Sequence, residues 1–174
     1  MKKYRKARPQ IEQPTDPTCR YIALTRGQIA IVDAEDYPFL NQWNWTALWS
    51  PRKHGYYAVR NVGKGRIKYM HQILLNPKPN QLCDHRNGNT LDYRRGNLRT
   101  CTHQQNNRNR SHDVACLSKL KGVRLYGKRW QARISVNKQS IYLGTFDDPG
   151  QAALAYNEAA KQYFGEFAWF NEVA

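Results

Sequence analysis

The stretch from Val123 to Gly165 leaves a chain few ways to fold. Three short segments, GVRLY, WQARISV and IYLGTF, put apolar residues at every second position, and a fourth then changes to helical spacing. In WQARISV, Trp130, Ala132, Ile134 and Val136 share one face of a strand, while Gln131, Arg133 and Ser135 share the other. Val123 and Leu125 in the first segment, and Ile141 and Leu143 in the third, are expected to point inward, leaving Arg124, Tyr126 and Tyr142 outward. Asp148 followed by Pro149 reads as a helix N-cap and first helical residue, and Gly165 as the C-terminal stop. Between them Ala152, Ala155, Tyr156, Ala159, Ala160 and Tyr163 make a stripe of mostly small side chains that lets a helix lie close on a sheet. The charges segregate with these elements. Lys119, Lys121, Arg124, Lys128, Arg129, Arg133 and Lys138 fall on the strands and turns, whereas Asp147, Asp148, Glu158, Glu166 and Glu172 follow them against Lys161 alone. The open sheet face is therefore the side that suits phosphates.

Upstream, YIAL, a turn at Arg26-Gly27, and IAIV read as a hairpin, and WNWTALW, GYYAVRNV and RIKYM as further strands. Pro77 and Pro79 then deliver the chain into LCDHRNGN, because neither can continue a helix. The 174 residues suit one ordinary domain or two small ones. The expected division is a flexible basic arm over residues 1–18, a β-rich unit over 19–110, a linker over 111–120 and the sheet-and-helix unit over 121–174. The class is α+β. Lys and Arg number 28 against 13 Asp and Glu, a formal charge of +15, which is the footprint of a nucleic-acid binder. A merely soluble basic surface, or one that adheres to anionic membranes, is the plainer alternative; the interleaving of basic residues with Asn, Gln, Tyr and Trp argues against it. No apolar run approaches the roughly 20 residues that span a bilayer, and residues 1–18 lack the apolar core of a signal peptide, so a cytoplasmic, nucleoid-associated protein is expected. Cys19, Cys83, Cys101 and Cys116 have no C-x-x-C spacing and read as buried or free thiols.

Residues 82–110, LCDHRNGNTLDYRRGNLRTCTHQQNNRNR, carry the chemistry. QLCDH reads as a strand, NGN and RRGN as turns, and NLRTC as the return strand. Thr102 and Gln105 have capping-box spacing for a helix that puts Asn106 in its second turn. Such a strand–turn–strand–helix brings Asp84 and Asn106 together as oxygen donors for a hard cation such as Mg²⁺ or Mn²⁺. A neutral His85 beside that ion can take a proton from water, and Asn97 is placed to hold its tautomer. Arg94, Arg95, Arg99, Arg108 and Arg110 flank the site and suit phosphate contacts.

This stretch resembles the HNH endonucleases of the homing type, whose pattern runs D-H-x-N-G-x-x-L-D-N-R-x-x-N-L-R-x-x-T-x-x-Q-N-x-x-N-R. The resemblance implies a ββα-metal module at residues 80–110, with Asp84 and Asn106 as metal ligands, His85 as general base and Asn97 as its orienter. Tyr93 stands where the family usually has Asn. The segments YIALTRGQIAIVD and YMHQILL resemble those preceding the motif in such nucleases, and His71 matches a family histidine with a supporting role. Residues 121–171 resemble the Apetala/ethylene-response-factor DNA-binding domain through GVR, the Trp130 strand, YLGTF and AALAYNEAA. That family reads DNA with outward sheet residues, which implies Arg124, Arg133 and Tyr142, with Trp130 either stacking at the DNA or packing in the core; Arg129 is a further candidate DNA contact. Tyr142, Arg133 and Ser135 depart from the family's usual Trp, Glu and Arg, so no target sequence carries over. The combined expectation is a Mg²⁺- or Mn²⁺-dependent endonuclease on double-stranded DNA, with one active site per chain favouring a monomer. A catalytically inert DNA-binding regulator that keeps the fold, and a basic RNA-binding protein, are the alternatives.

Overall fold

The computed structural model describes residues 9–51, 53–109 and 118–173. The chain is mixed α/β, with small antiparallel sheets and few helices, and divides into two compact units, residues 1–101 and 102–174. Residues 1–8 of the expected basic arm, residues 111–117 of the expected linker, with Cys116 among them, and Arg110 lie outside the described residues.

In the first unit β1 (Cys19–Ala23) and β2 (Ile29–Asp33) form the expected hairpin, from Cys19 opposite Asp33 to Ala23 opposite Ile29. Its turn places Arg26 and Gly27 at φ 61° and 67°, the left-handed region that makes glycine useful there. After α1 (Tyr37–Leu40) come β3 (Thr46–Ser50), β4 (Gly55–Asn61) and β5 (Ile67–Tyr69), a three-stranded antiparallel sheet with β4 in the centre. The strand expected from Trp43 starts only at Thr46, because the buried Trp45 indole donates to the Leu40 carbonyl at 2.9 Å and anchors the chain before pairing begins. Helix α2 (Met70–Leu75) ends at Asn76 in the left-handed region, and β6 (Leu82–His85) then pairs with β7 (Leu98–Cys101). One apolar core, including Ile22, Val32, Leu40, Ala58, Met70 and Leu98, draws side chains from both sheets, from α1 and α2 and from the hairpin. That shared burial, rather than the four-residue strands themselves, fixes where the β6–β7 hairpin sits.

The second unit opens with α3 (His103–Arg108), the helix that the sequence reading joined to the hairpin. Its capping box forms as expected: Thr102 Oγ1 accepts from the Gln105 amide at 3.2 Å and Gln105 Oε1 from the Thr102 amide at 2.8 Å. β8 (Val123–Tyr126), β9 (Arg129–Val136) and β10 (Gln139–Phe146) make a three-stranded antiparallel sheet with β9 central, covered by α4 (Pro149–Phe164). Asp148 caps α4 by accepting from the Gln151 amide at 2.9 Å, and Gly165 ends it at φ 52°. The buried stripe of α4 runs through Ala152, Ala153, Tyr156, Ala159, Ala160 and Phe164. Tyr163, expected inward, is exposed: steps of four from Ala152 through Tyr156 and Ala160 put Phe164 in the last inward place. Leu125 is exposed as well, since it lies two residues beyond the buried Val123 on an edge strand, opposite Trp130 and outside the buried cluster. Among the described residues no helix is long and apolar enough to cross a membrane.

Candidate active site

The β6–β7 hairpin carries the residues singled out by the sequence. Asp84 lies directly opposite Arg99, and both are buried, at 2% and 6% exposure. Arg99 donates from Nε at 2.9 Å and from Nη2 at 2.8 Å to Asp84 Oδ2. Two charges can sit in this interior because each neutralises the other with good hydrogen-bond geometry. Arg99 is thereby an internal counter-ion. The sequence reading gave it a phosphate; the burial that stabilises its ion pair removes it from any outer surface.

His85, at 4% exposure, stands inside an aromatic enclosure. Ring centroids of Tyr93, His71 and Tyr57 lie 5.3, 5.5 and 6.0 Å from its own. Burial is the main cause that pushes its pKa down to about 3, with further lowering from His71 and Lys53. His71 is pushed down to about 4 by burial, and its Nδ1 has no hydrogen-bond partner among the described residues. Both imidazoles are thus neutral at physiological pH, the form that can accept a proton or bind a cation. The sequence placed the ring at an accessible strand end. The structure instead covers it, and of the three rings around it only Tyr57 is half-buried rather than buried.

Tyr93, the departure from the family pattern, is completely buried. The Ala58 amide donates to its hydroxyl oxygen at 2.7 Å, the Tyr93 amide donates to the Ile31 carbonyl at 2.7 Å, and its ring stacks on His71 at 6.2 Å. Tyr93 therefore ties the loop to β2 through its backbone, and to β4 and the histidine cage through its side chain. Sequence reasoning treated Tyr93 only as a mismatch; a large aromatic in a polar loop was the available signal.

Asn97 holds that loop. Its Oδ1 accepts from the Asn87 amide at 3.0 Å and its Nδ2 donates to the Asp92 carbonyl at 2.8 Å. Those bonds fix the turn that follows His85. Asp92, which the sequence reading passed over, is a buried hub: Arg94 forks onto it from Nε at 2.9 Å and Nη2 at 2.7 Å, and Asn87 Nδ2 donates to it at 3.0 Å. Burial works to raise its pKa, but the bonds from Arg94 outweigh that and hold it below the usual carboxylate range. Arg95 pairs with Asp36 at 2.8 Å and reaches Glu35 at 3.7 Å, while its amide donates to Asp33 at 2.7 Å. These three acids are close enough to hold an ion, but Arg95 already compensates them. Burial pushes the Cys83 and Cys101 thiols up to about 11, so they are packing groups.

Residues for a divalent cation are available in kind. Asp84 offers carboxylate oxygen at the end of β6, and the half-buried Asn106 an amide oxygen on α3, the hard donors that Mg²⁺ and Mn²⁺ take.

In the second unit Arg124 and Tyr142 are exposed, and Arg133 and Trp130 half-buried. Arg129 pairs with Asp147 at 2.7 Å, and Arg108 lies 4.9 Å over the Phe164 ring. No protein-family model matches the chain. The chain is similar to a protein of Acanthamoeba polyphaga mimivirus named an uncharacterized HNH endonuclease, 29% identical over 152 residues that cover 85% of this chain and 77% of the relative. That likeness supports, at the level of the family, an HNH endonuclease.

Proposed function

We propose that the chain is a divalent-metal-dependent endonuclease of the HNH type, acting on double-stranded DNA, with its second unit as a sheet-type DNA reader. The observation that carries the reading is the adjacency, at one strand end, of a carboxylate and an imidazole kept neutral by burial. Asp84 and Asn106 would hold the ion. When bound, such an ion offsets charge on a phosphate oxygen and on the departing alkoxide. An imidazole nitrogen of His85 accepts the proton of the attacking water; a new oxygen–phosphorus bond forms as the bond to the leaving alkoxide breaks. Arg99 fixes the Asp84 carboxylate, and Asn97 with Asp92 and Arg94 fixes the loop that follows His85. Water must reach the ring, and of the three rings around it Tyr57 is the half-buried one.

Supercoiled plasmid incubated with the protein and Mg²⁺ or Mn²⁺ should convert to nicked circles, and EDTA should abolish the conversion. The enclosure of His85 and the engagement of Asp84 by Arg99 favour a second reading, an inert DNA-binding regulator. Duplex binding with intact plasmid under every divalent ion would establish that one instead.

A further inference from the structure

The open face of the β8–β9–β10 sheet gathers charge in a way that basic composition alone does not require. Gln131 sits on the central strand and is only 8% exposed. Its Oε1 accepts from Arg124 Nε at 3.0 Å, from Arg124 Nη2 at 2.7 Å and from Arg133 Nε at 2.9 Å. Arg124 is the cross-strand partner of Gln131 on β8, and Arg133 lies two residues along β9, so one amide oxygen collects guanidinium groups from two strands. Arg133 Nη1 also reaches Ser140 Oγ at 3.5 Å, and its guanidinium carbon lies 5.9 Å from the centroid of Tyr142, its partner on β10.

Arg94, Arg95, Arg99 and Arg129 each have a carboxylate partner. Arg124 and Arg133 are instead held by a neutral acceptor, and among the described residues neither forms an ion pair with a carboxylate. Two cations held on one amide repel each other, and an electron-rich ligand that meets both relieves that repulsion. Arg124 spends Nε and one Nη2 hydrogen on Gln131, and Arg133 spends Nε on Gln131 and reaches Ser140 from Nη1, so each guanidinium keeps further terminal N–H groups. Guanine in the major groove presents N7 and O6 as paired acceptors, the match for an arginine on a strand laid in that groove.

We propose that Gln131 is a positioning residue, which presents Arg124 and Arg133 as one coupled pair to guanine edges in duplex DNA. This rests on the second unit being a DNA reader. The test uses the full-length protein in EDTA, with selection from a random duplex library and salt titrations, on wild type, Gln131→Met and Gln131→Glu, each checked by thermal melting. Wild type should select guanine at one or more positions. Gln131→Met, which keeps the shape and loses the acceptor, should lose that preference by about tenfold with an unchanged salt slope, whereas Gln131→Glu, which keeps the acceptor, should retain it. A preference kept within about twofold in Gln131→Met overturns the proposal, as does equal loss in both variants, which marks a purely structural role. Uniform weakening across sequences with a shallower salt slope also overturns it, because the pair then grips phosphate. Absence of DNA binding by wild type removes the reader and the proposal together; binding by wild type that is indifferent to Gln131 removes the proposal alone.

Discussion

His71 and His85 share an apolar enclosure, so each proton they accept costs desolvation that an imidazole in water does not incur. Their pKa values fall from the ordinary 6.5 to about 4 and about 3, with burial the first cause in both. The sign for stability follows. Between the lowered native value and the ordinary value the unfolded chain binds protons that the folded chain refuses, so stability is full above about pH 6.5 and declines as pH falls toward 4 and then 3. The loss should be on the order of 3 kcal/mol for each histidine. Urea melts from pH 7.5 to pH 4.5 should show it in the wild type and less of it in His71→Phe; a flat profile would contradict the burial. Tyr93 supplies the second residue-level prediction. Tyr93→Phe removes the acceptor for the buried Ala58 amide and should cost about 1–3 kcal/mol in the same melts.

Elements differ in how far their sequence disclosed them. Strands β1, β2, β4, β6, β7 and β9 and the caps of α3 and α4 were legible, because alternation and capping are set by residues within a few positions of each other. The hairpin that carries Asp84, His85 and Asn97 was legible for the same reason. What the sequence hid depends on distant partners: Tyr57 and Tyr93 closing over His85, Arg99 turning inward to Asp84, and Asn97 spending its amide on the loop. None of these contacts has a periodic signature. Nor did Leu125 and Tyr163 signal exposure, since periodicity names a face and tertiary cover decides which members of it are buried. An element-level prediction rests on Gly122, which leads into β8 at φ 75° and whose Cα faces the Tyr156 ring and the Arg133 carbonyl at close approach. Gly122→Ala should prise α4 from the sheet at a cost of about 2 kcal/mol or more, and amide exchange should accelerate in β8 and α4 ahead of the β6–β7 hairpin.

For the whole molecule, a charge of +15 sets the setting in which these units act. Each phosphate neutralised on binding should contribute about 0.9 to the slope of log affinity against log salt, so DNA association should weaken steeply as salt rises. On the proposed reading the charge draws the chain to a polyanion, and the buried acid–imidazole pair acts on it there. Single-turnover cleavage of a labelled duplex in Mg²⁺, comparing wild type with His85→Ala at matched DNA occupancy, tests that most directly. General-base action by His85 predicts a rate loss of about 10²- to 10⁴-fold with binding unchanged. Equal rates in the two proteins would contradict it.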